Sequence, residues 1–228
     1  MKYLKCILLL FLLISLNLSM NAQDWPELNR FRKQNKNLGA PAKGEQRVVF
    51  MGNSITEGWP NKDPEYFEKP SYINRGIGGQ TTPQMLLRFR ADVIDLKPKA
   101  VVILAGTNDI AGNTGPMTLE EIRDNIISMS ELAMANDIKV IISSVLPAYD
   151  YHWRPGLEPN IKIPKLNAML KDYAENNGLI YLDYFTAMAD ERNGLPTELA
   201  DDGVHPTKEG YMIMKGLAEE AIKKALND

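Results

Sequence analysis

Short apolar runs alternate with longer amphipathic stretches along this chain. Val48–Met51, Ala100–Ala105 and Lys139–Val145 are dominated by Val, Ile, Leu and Ala, and Ser71–Arg75 and Leu179–Asp183 are shorter runs of the same kind. Apolar runs without polar alternation fit strands buried on both faces. Thr81–Leu96 between them spaces Met85, Leu86, Phe89, Val93 and Ile94 as the inner face of a helix that Lys97-Pro98 stops. Thr118 opens another helix, running to about Asn136, and Glu121 three residues on suits a capping box. Lys165–Asn177, ended by Gly178, and Thr207–Leu226 read as two more. Pro147–Pro164 reads as a long irregular loop. Strands alternating with helices predict an α/β fold with five parallel strands, covered on both faces. In such sheets ligands bind beyond the carboxyl ends of the strands.

The N-terminal region departs from this pattern. Lys2 and Lys5 precede the apolar stretch Ile7–Leu18, and Met20-Asn21-Ala22 offers a small residue for cleavage, so residues 1–22 read as a secretory signal. The apolar stretch falls short of the ~20 residues a spanning helix needs, so no stable membrane insertion is expected after cleavage. The signal implies export, to the periplasm or beyond the cell. Trp25, Leu28 and Phe31 recur at helical spacing, which predicts a short docking helix within residues 23–45, followed by a linker at Gly39–Gly44. One domain is expected over residues 46–228.

Composition narrows the chemistry. The formal net charge is −3, and loss of residues 1–22 removes two lysines and makes it more negative. That disfavours nucleic acid and anionic membrane surfaces as partners. The single cysteine, Cys6, lies inside the signal, so the mature chain has no disulfide and no thiol nucleophile. Two histidines far apart, with no cysteine, argue against a zinc site. No metal or organic cofactor is expected.

Four polar clusters carry the candidate chemistry. Gly52-Asn53-Ser54-Ile55-Thr56 follows the first strand. Ser54 there would serve equally as a helix cap, with Glu57 completing a capping box, or as a nucleophile whose own N–H faces an oxyanion. Gly76-Ile77-Gly78-Gly79-Gln80 follows the second strand. As a nucleotide motif it is incomplete, because Thr81 replaces the last glycine; as a close-approach turn it presents the Gly79 N–H. Gly106-Thr107-Asn108-Asp109 follows the third strand. Its Asn108 amide suits a developing negative charge, and Asp109 is expected to brace the loop. Asp202-Gly203-Val204-His205-Pro206 holds one of only two histidines. A carboxylate three residues before an imidazole in a turn is suited to orienting it. The Gly-x-Ser-x-Gly elbow of α/β-hydrolases is absent, since Thr56 stands at its second glycine.

Together these blocks resemble the SGNH hydrolases, also called GDSL-type esterases and acylhydrolases. The likeness runs from about Val48 to Leu226, with four blocks in family order. Asn74–Thr82 is also similar to the branch containing platelet-activating-factor acetylhydrolase catalytic subunits. The resemblance implies a flavodoxin-like, three-layer α/β/α sandwich and a serine esterase. It implies Ser54 as nucleophile, His205 as base and Asp202 as its orienting acid, with Ser54, Gly79 and Asn108 as the oxyanion hole. One position departs: Asn53 replaces the aspartate of the Gly-Asp-Ser consensus, which implies altered loop electrostatics and retained activity.

The substrate is read from the loop after the fourth strand. Tyr149, Tyr151, Trp153 and Arg154 there suit a sugar or another polar alcohol, although aromatics of this kind also simply pack a loop. Short-chain esters, above all acetyl groups on carbohydrate, are expected. The alternatives are a lysophospholipase or broad acyl-esterase, and a non-catalytic carbohydrate-binding protein on the same fold. Retention of the Ser, Gly, Asn, Asp and His set weighs against the last.

Overall fold

The structure, a computed structural model, describes residues 24–227; the expected signal segment lies outside them. Five strands form one sheet: β1 Val48–Gly52, β2 Tyr72–Gly76, β3 Ala100–Leu104, β4 Lys139–Ser143 and β5 Ile180–Leu182. Their order is β2-β1-β3-β4-β5 and every pairing is parallel. This is the flavodoxin-like order, and its switch point lies where β1 sits between β2 and β3.

The period of two along β1 divides the core. Val49 and Met51 face one helical layer, Val48 and Phe50 the other. The first layer holds α4 (Thr82–Asp92), α6 (Leu119–Met134) and α7 (Pro159–Asn176), through Met85, Phe89, Ile122, Ile126, Ile163 and Leu166. The second holds α2 (Ser54–Lys62), α3 (Pro64–Glu68), α8 (Tyr184–Met188) and α9 (Lys208–Asn227), through Ile55, Trp59, Tyr66, Met188 and Met214. The expected three-layer sandwich is therefore present, and the central strands β1 and β3 are buried along both faces.

Three expectations need correction. Trp25 and Leu28 are not helical: residues 25–31 form turns, and the helix α1 spans Arg32–Leu38. The Asp24 carboxylate accepts the Leu28 and Asn29 N–H groups at 2.9 Å each, a local side-chain bond that competes with helix. α4 begins at Thr82, with Thr81 as its cap, but ends at Asp92 short of the expected Leu96, and a 3₁₀ turn, Ile94–Leu96, follows. α7 begins at Pro159, so the irregular loop after β4 is shorter than expected. Pro159 stands at N1, where its missing N–H costs nothing. Pro164 lies inside the helix, and the Asn160 carbonyl it leaves unpaired accepts from the Asn193 amide at 3.2 Å.

The helix carrying Ser54 lies hard against β2. A Cβ on Gly76 would sit 2.1 Å from the Glu57 backbone nitrogen and 2.7 Å from its Cα. Gly76→Ala is expected to push α2 off the strand and destabilise the fold by about 1–3 kcal/mol. Chemical denaturation measures this; an unchanged midpoint would show that the contact gives way freely.

Candidate active site

Ser54, Gly79 and Asn108 all follow the carboxyl ends of strands at the switch point. β1 delivers Ser54, β2 the glycine loop, and β3 the short helix α5, Thr107–Ile110, with Asn108 on it. Ser54 is the first residue of α2, not its cap. Asn53 is the cap, its side-chain oxygen accepting the Ile55 N–H at 3.0 Å. The substituted asparagine thus does the turn's work, and Ser54 keeps its hydroxyl free. The expected Ser54–Glu57 capping box does not form: Glu57 instead accepts the Gly78 N–H at 2.8 Å.

Ser54 Oγ lies 2.9 Å from His205 Nε2, and His205 Nδ1 lies 2.7 Å from Asp202 Oδ2. An ionised carboxylate only accepts, so Nδ1 carries the proton and Nε2 is left to accept from the serine. The other Asp202 oxygen accepts the His205 N–H at 2.7 Å and the Val204 N–H at 2.9 Å. One carboxylate therefore holds both the ring and the backbone of the turn. Burial works against ionisation of Asp202, but the bonds from the His205 N–H, its ring and the Val204 N–H outweigh it, so the carboxyl lies below the usual aspartate range.

Packing in the second layer fixes the distance between serine and histidine. The Tyr211 hydroxyl, on the helix that follows His205, donates to the Ile55 carbonyl at 2.7 Å, and its ring stacks on Trp59 at 5.3 Å. Lys215 pairs with Asp63 at 2.8 Å just beyond α2. Ser54 and His205, 151 residues apart in sequence, are thereby carried by two helices locked together.

On the other side of Ser54, Gly79 adopts φ 75°, a region that a side chain strains. Among the described residues, neither the Ser54 N–H nor the Gly79 N–H is donated to another protein group. Asn108 is buried and donates one amide proton to the Gln80 carbonyl at 2.9 Å, leaving the second unspent. Free N–H groups and a spare amide proton are the donor types that a developing anionic oxygen requires.

Asp109 braces the loop as expected. Its Oδ1 accepts the Thr82 N–H at 2.8 Å and the Thr82 hydroxyl at 2.6 Å, while its buried Oδ2 has no partner. Burial raises its carboxyl above the usual range, with the Thr82 bonds pulling the other way. An acid raised on folding stabilises the fold below its unfolded value of 3.8, and that contribution is lost as pH rises through the folded value. Asp109→Asn keeps an acceptor for Thr82 and cannot ionise. Its stability is expected to gain on the parent's over the range of pH above the unfolded value of 3.8, where Asp109 is protonated in the folded chain and ionised in the unfolded one. Denaturant midpoints across that range check this, and parallel curves would contradict it.

The loop after β4 does not act as one substrate surface. Tyr151 is 0% exposed and its hydroxyl bonds to Thr107 at 2.7 Å. It supports α5 from beneath and, contrary to expectation, has no surface left for a substrate contact. Trp153 stacks on it at 5.0 Å. Arg154 is exposed, and its Nη1 is held by the Ala111 and Gly112 carbonyls at 2.9 and 2.8 Å, where it stabilises the turn after α5. Tyr149, 51% exposed, lines a cavity of about 280 Å³ with His152, Arg192, Asp201 and Asp202. His152 takes no part in the Ser54 relay. Among the described residues no cluster of three or more His, Cys, Asp or Glu side chains is placed to hold a metal ion.

Reasoning from sequence missed Arg88. It is fully buried on α4 and donates to the Gln80 side chain at 2.6 Å, to the Gly52 and Arg75 carbonyls at 3.1 and 2.9 Å, and to Asp92 at 3.1 Å. It ties the ends of β1 and β2 to the glycine loop. Arg88 and Asp92, four apart, share the inward face of Met85 and Phe89; a charged pair on an apolar face was the available signal.

The family model described as GDSL-like Lipase/Acylhydrolase family matches residues 50–213. A solved GDSL-like lipase from Bacteroides thetaiotaomicron superposes with a TM-score of 0.86 at 49% identity, covering 88% of this chain and 99% of that one. An acetylxylan esterase from Xylanibacter ruminicola is 23% identical over 223 residues, 82% of this chain and 45% of that protein. Platelet-activating factor acetylhydrolase IB subunit alpha2 from Homo sapiens is 28% identical over 159 residues, 66% of this chain and 64% of that protein. The chain thus spans less than two-thirds of the length of these curated relatives. With the fold, the switch-point site and a family match over most of its length, the chain belongs to the GDSL-like lipase/acylhydrolase family.

Proposed function

We propose that this protein hydrolyses short-chain esters, chiefly acetyl esters of carbohydrate, with Ser54 as nucleophile, His205 as general base and then acid, and Asp202 as the group that orients His205. The observation that carries this reading is the unbroken hydrogen-bonded chain Ser54–His205–Asp202. His205 Nε2 takes the serine proton as Oγ attacks the ester carbonyl. The oxyanion settles among the Ser54 N–H, the Gly79 N–H and the Asn108 amide, each worth about 3 kcal/mol in the transition state. The imidazolium, stabilised by Asp202, then protonates the departing alcohol. Water, activated by the same nitrogen, releases the acid and restores Ser54.

Support for the acetyl group comes from the two curated relatives, one an acetylxylan esterase and the other an acetylhydrolase. Support for a sugar alcohol comes from the cavity beside Asp202, which sets the Tyr149 ring among Arg192, Asp201 and His152. A ring face flanked by hydrogen-bonding groups suits a polyol better than an acyl tail. Export, to the periplasm or outside the cell, rests on residues 1–22.

Labelling with a fluorophosphonate should place the adduct on Ser54 by peptide mass spectrometry. Acetate release from an acetylated xylo-oligosaccharide should exceed that from p-nitrophenyl octanoate by about tenfold or more in kcat/KM. A labelled Ser54 with octanoate preferred would move the substrate to lipid-type esters. An unlabelled Ser54 would remove the proposed nucleophile.

A further inference from the structure

The segment before α1 is tied to the loop that holds Gly79. The Pro26 carbonyl accepts from the Gln80 side chain at 3.0 Å, and the Trp25 carbonyl accepts from the Gln84 side chain at 2.7 Å. Arg30 Nη2 lies 2.7 Å from Glu57 Oε1, and Glu57 Oε2 accepts the Gly78 N–H at 2.8 Å. Gln80 is the hub of the loop: its carbonyl holds the Asn108 amide and its side chain also receives Arg88. Residues 25–30 thus touch, at one remove, both Gly79 and Asn108. The turn conformation that replaced the expected helix is what frees these carbonyls, since a helix would have used the Pro26 carbonyl internally.

We propose that residues 24–30 are a strap that positions the oxyanion donors, with Arg30 acting through Glu57 as its positioning residue. The proposal rests on the ester-cleaving reading given above. The Arg30–Glu57 pair is solvent-exposed, at 52% and 37%, so it contributes little to overall stability. It does fix the Glu57 carboxylate against the Gly78 N–H, on the residue next to Gly79. A donor displaced by a fraction of an ångström loses most of its effect on a transition state while barely altering substrate binding.

The test uses the full-length protein, with p-nitrophenyl acetate as substrate. Arg30→Ala should lower kcat about tenfold, leave KM within about twofold, leave the unfolding midpoint unchanged and speed amide exchange at Gly78. Arg30→Lys should restore most of the rate. A second variant lacking residues 24–30 should lower kcat about a hundredfold. Parent-like kcat in Arg30→Ala and in the deletion, with Ser54→Ala inactive, overturns the strap alone. So does a kcat loss in Arg30→Ala that Lys fails to restore or that tracks a fall in the unfolding midpoint. Parent-like turnover in Ser54→Ala overturns the ester-cleaving reading and the strap with it.

Discussion

Ser54→Ala is expected to lower kcat for ester hydrolysis by about 10⁴–10⁶-fold with little change in stability. The size follows from the loss of the covalent path; what remains is the rate that the oxyanion donors and substrate binding supply by themselves. Stability should hold because the hydroxyl makes a single side-chain bond, to His205, and alanine is a good residue for the first turn of a helix. His205→Ala should cost about as much as Ser54→Ala, and the double variant little more than either, since the pair acts as a unit. Steady-state kinetics on p-nitrophenyl acetate, beside thermal unfolding, measure all three. Near-parental turnover in Ser54→Ala would refute the nucleophile.

Arg88→Met is expected to destabilise the fold by about 3–5 kcal/mol. Burial disfavours the Arg88 charge and Asp92 chiefly opposes that effect. Removing the guanidinium leaves the Asp92 carboxylate buried, with the Asn35 amide at 2.7 Å as its remaining hydrogen-bond donor and the Arg75 charge nearby. It also strips a donor from the Gly52 and Arg75 carbonyls and from Gln80. A buried carboxylate that loses its hydrogen-bonded counter-charge costs more than the original pair contributed. Asp92→Asn should soften the loss, so the double variant is expected to lie well short of additive. Denaturant unfolding reads this directly, and a change below about 1 kcal/mol would mean that the site relaxes around the missing charge.

Arg88 also shows where legibility ended. The residues of each block were readable because their spacing within the chain is short. Asp202 and His205 share one turn, and Asn53-Ser54 follows a strand whose end the apolar run marks. Polar partners drawn from several elements have no such local mark. Gln80 looked like the last residue of a glycine turn, yet it joins Arg88, Asn108 and Pro26. Tyr151 looked like a cleft residue because an aromatic in a loop reads the same whether it faces solvent or the interior.

Sequence by itself determined the parallel α/β architecture and its strand count, and it named the candidates for the site, since apolar period, turn chemistry and block order are local properties of the chain. The absence of helix over Trp25–Phe31, the start of α7 at Pro159 and the roles of Arg88, Tyr151 and Arg154 were decided only in three dimensions. Each turns on a hydrogen bond to a distant carbonyl, carboxylate or hydroxyl, or on a cap that competes with helix, and such bonds form only once packing has brought the partners together.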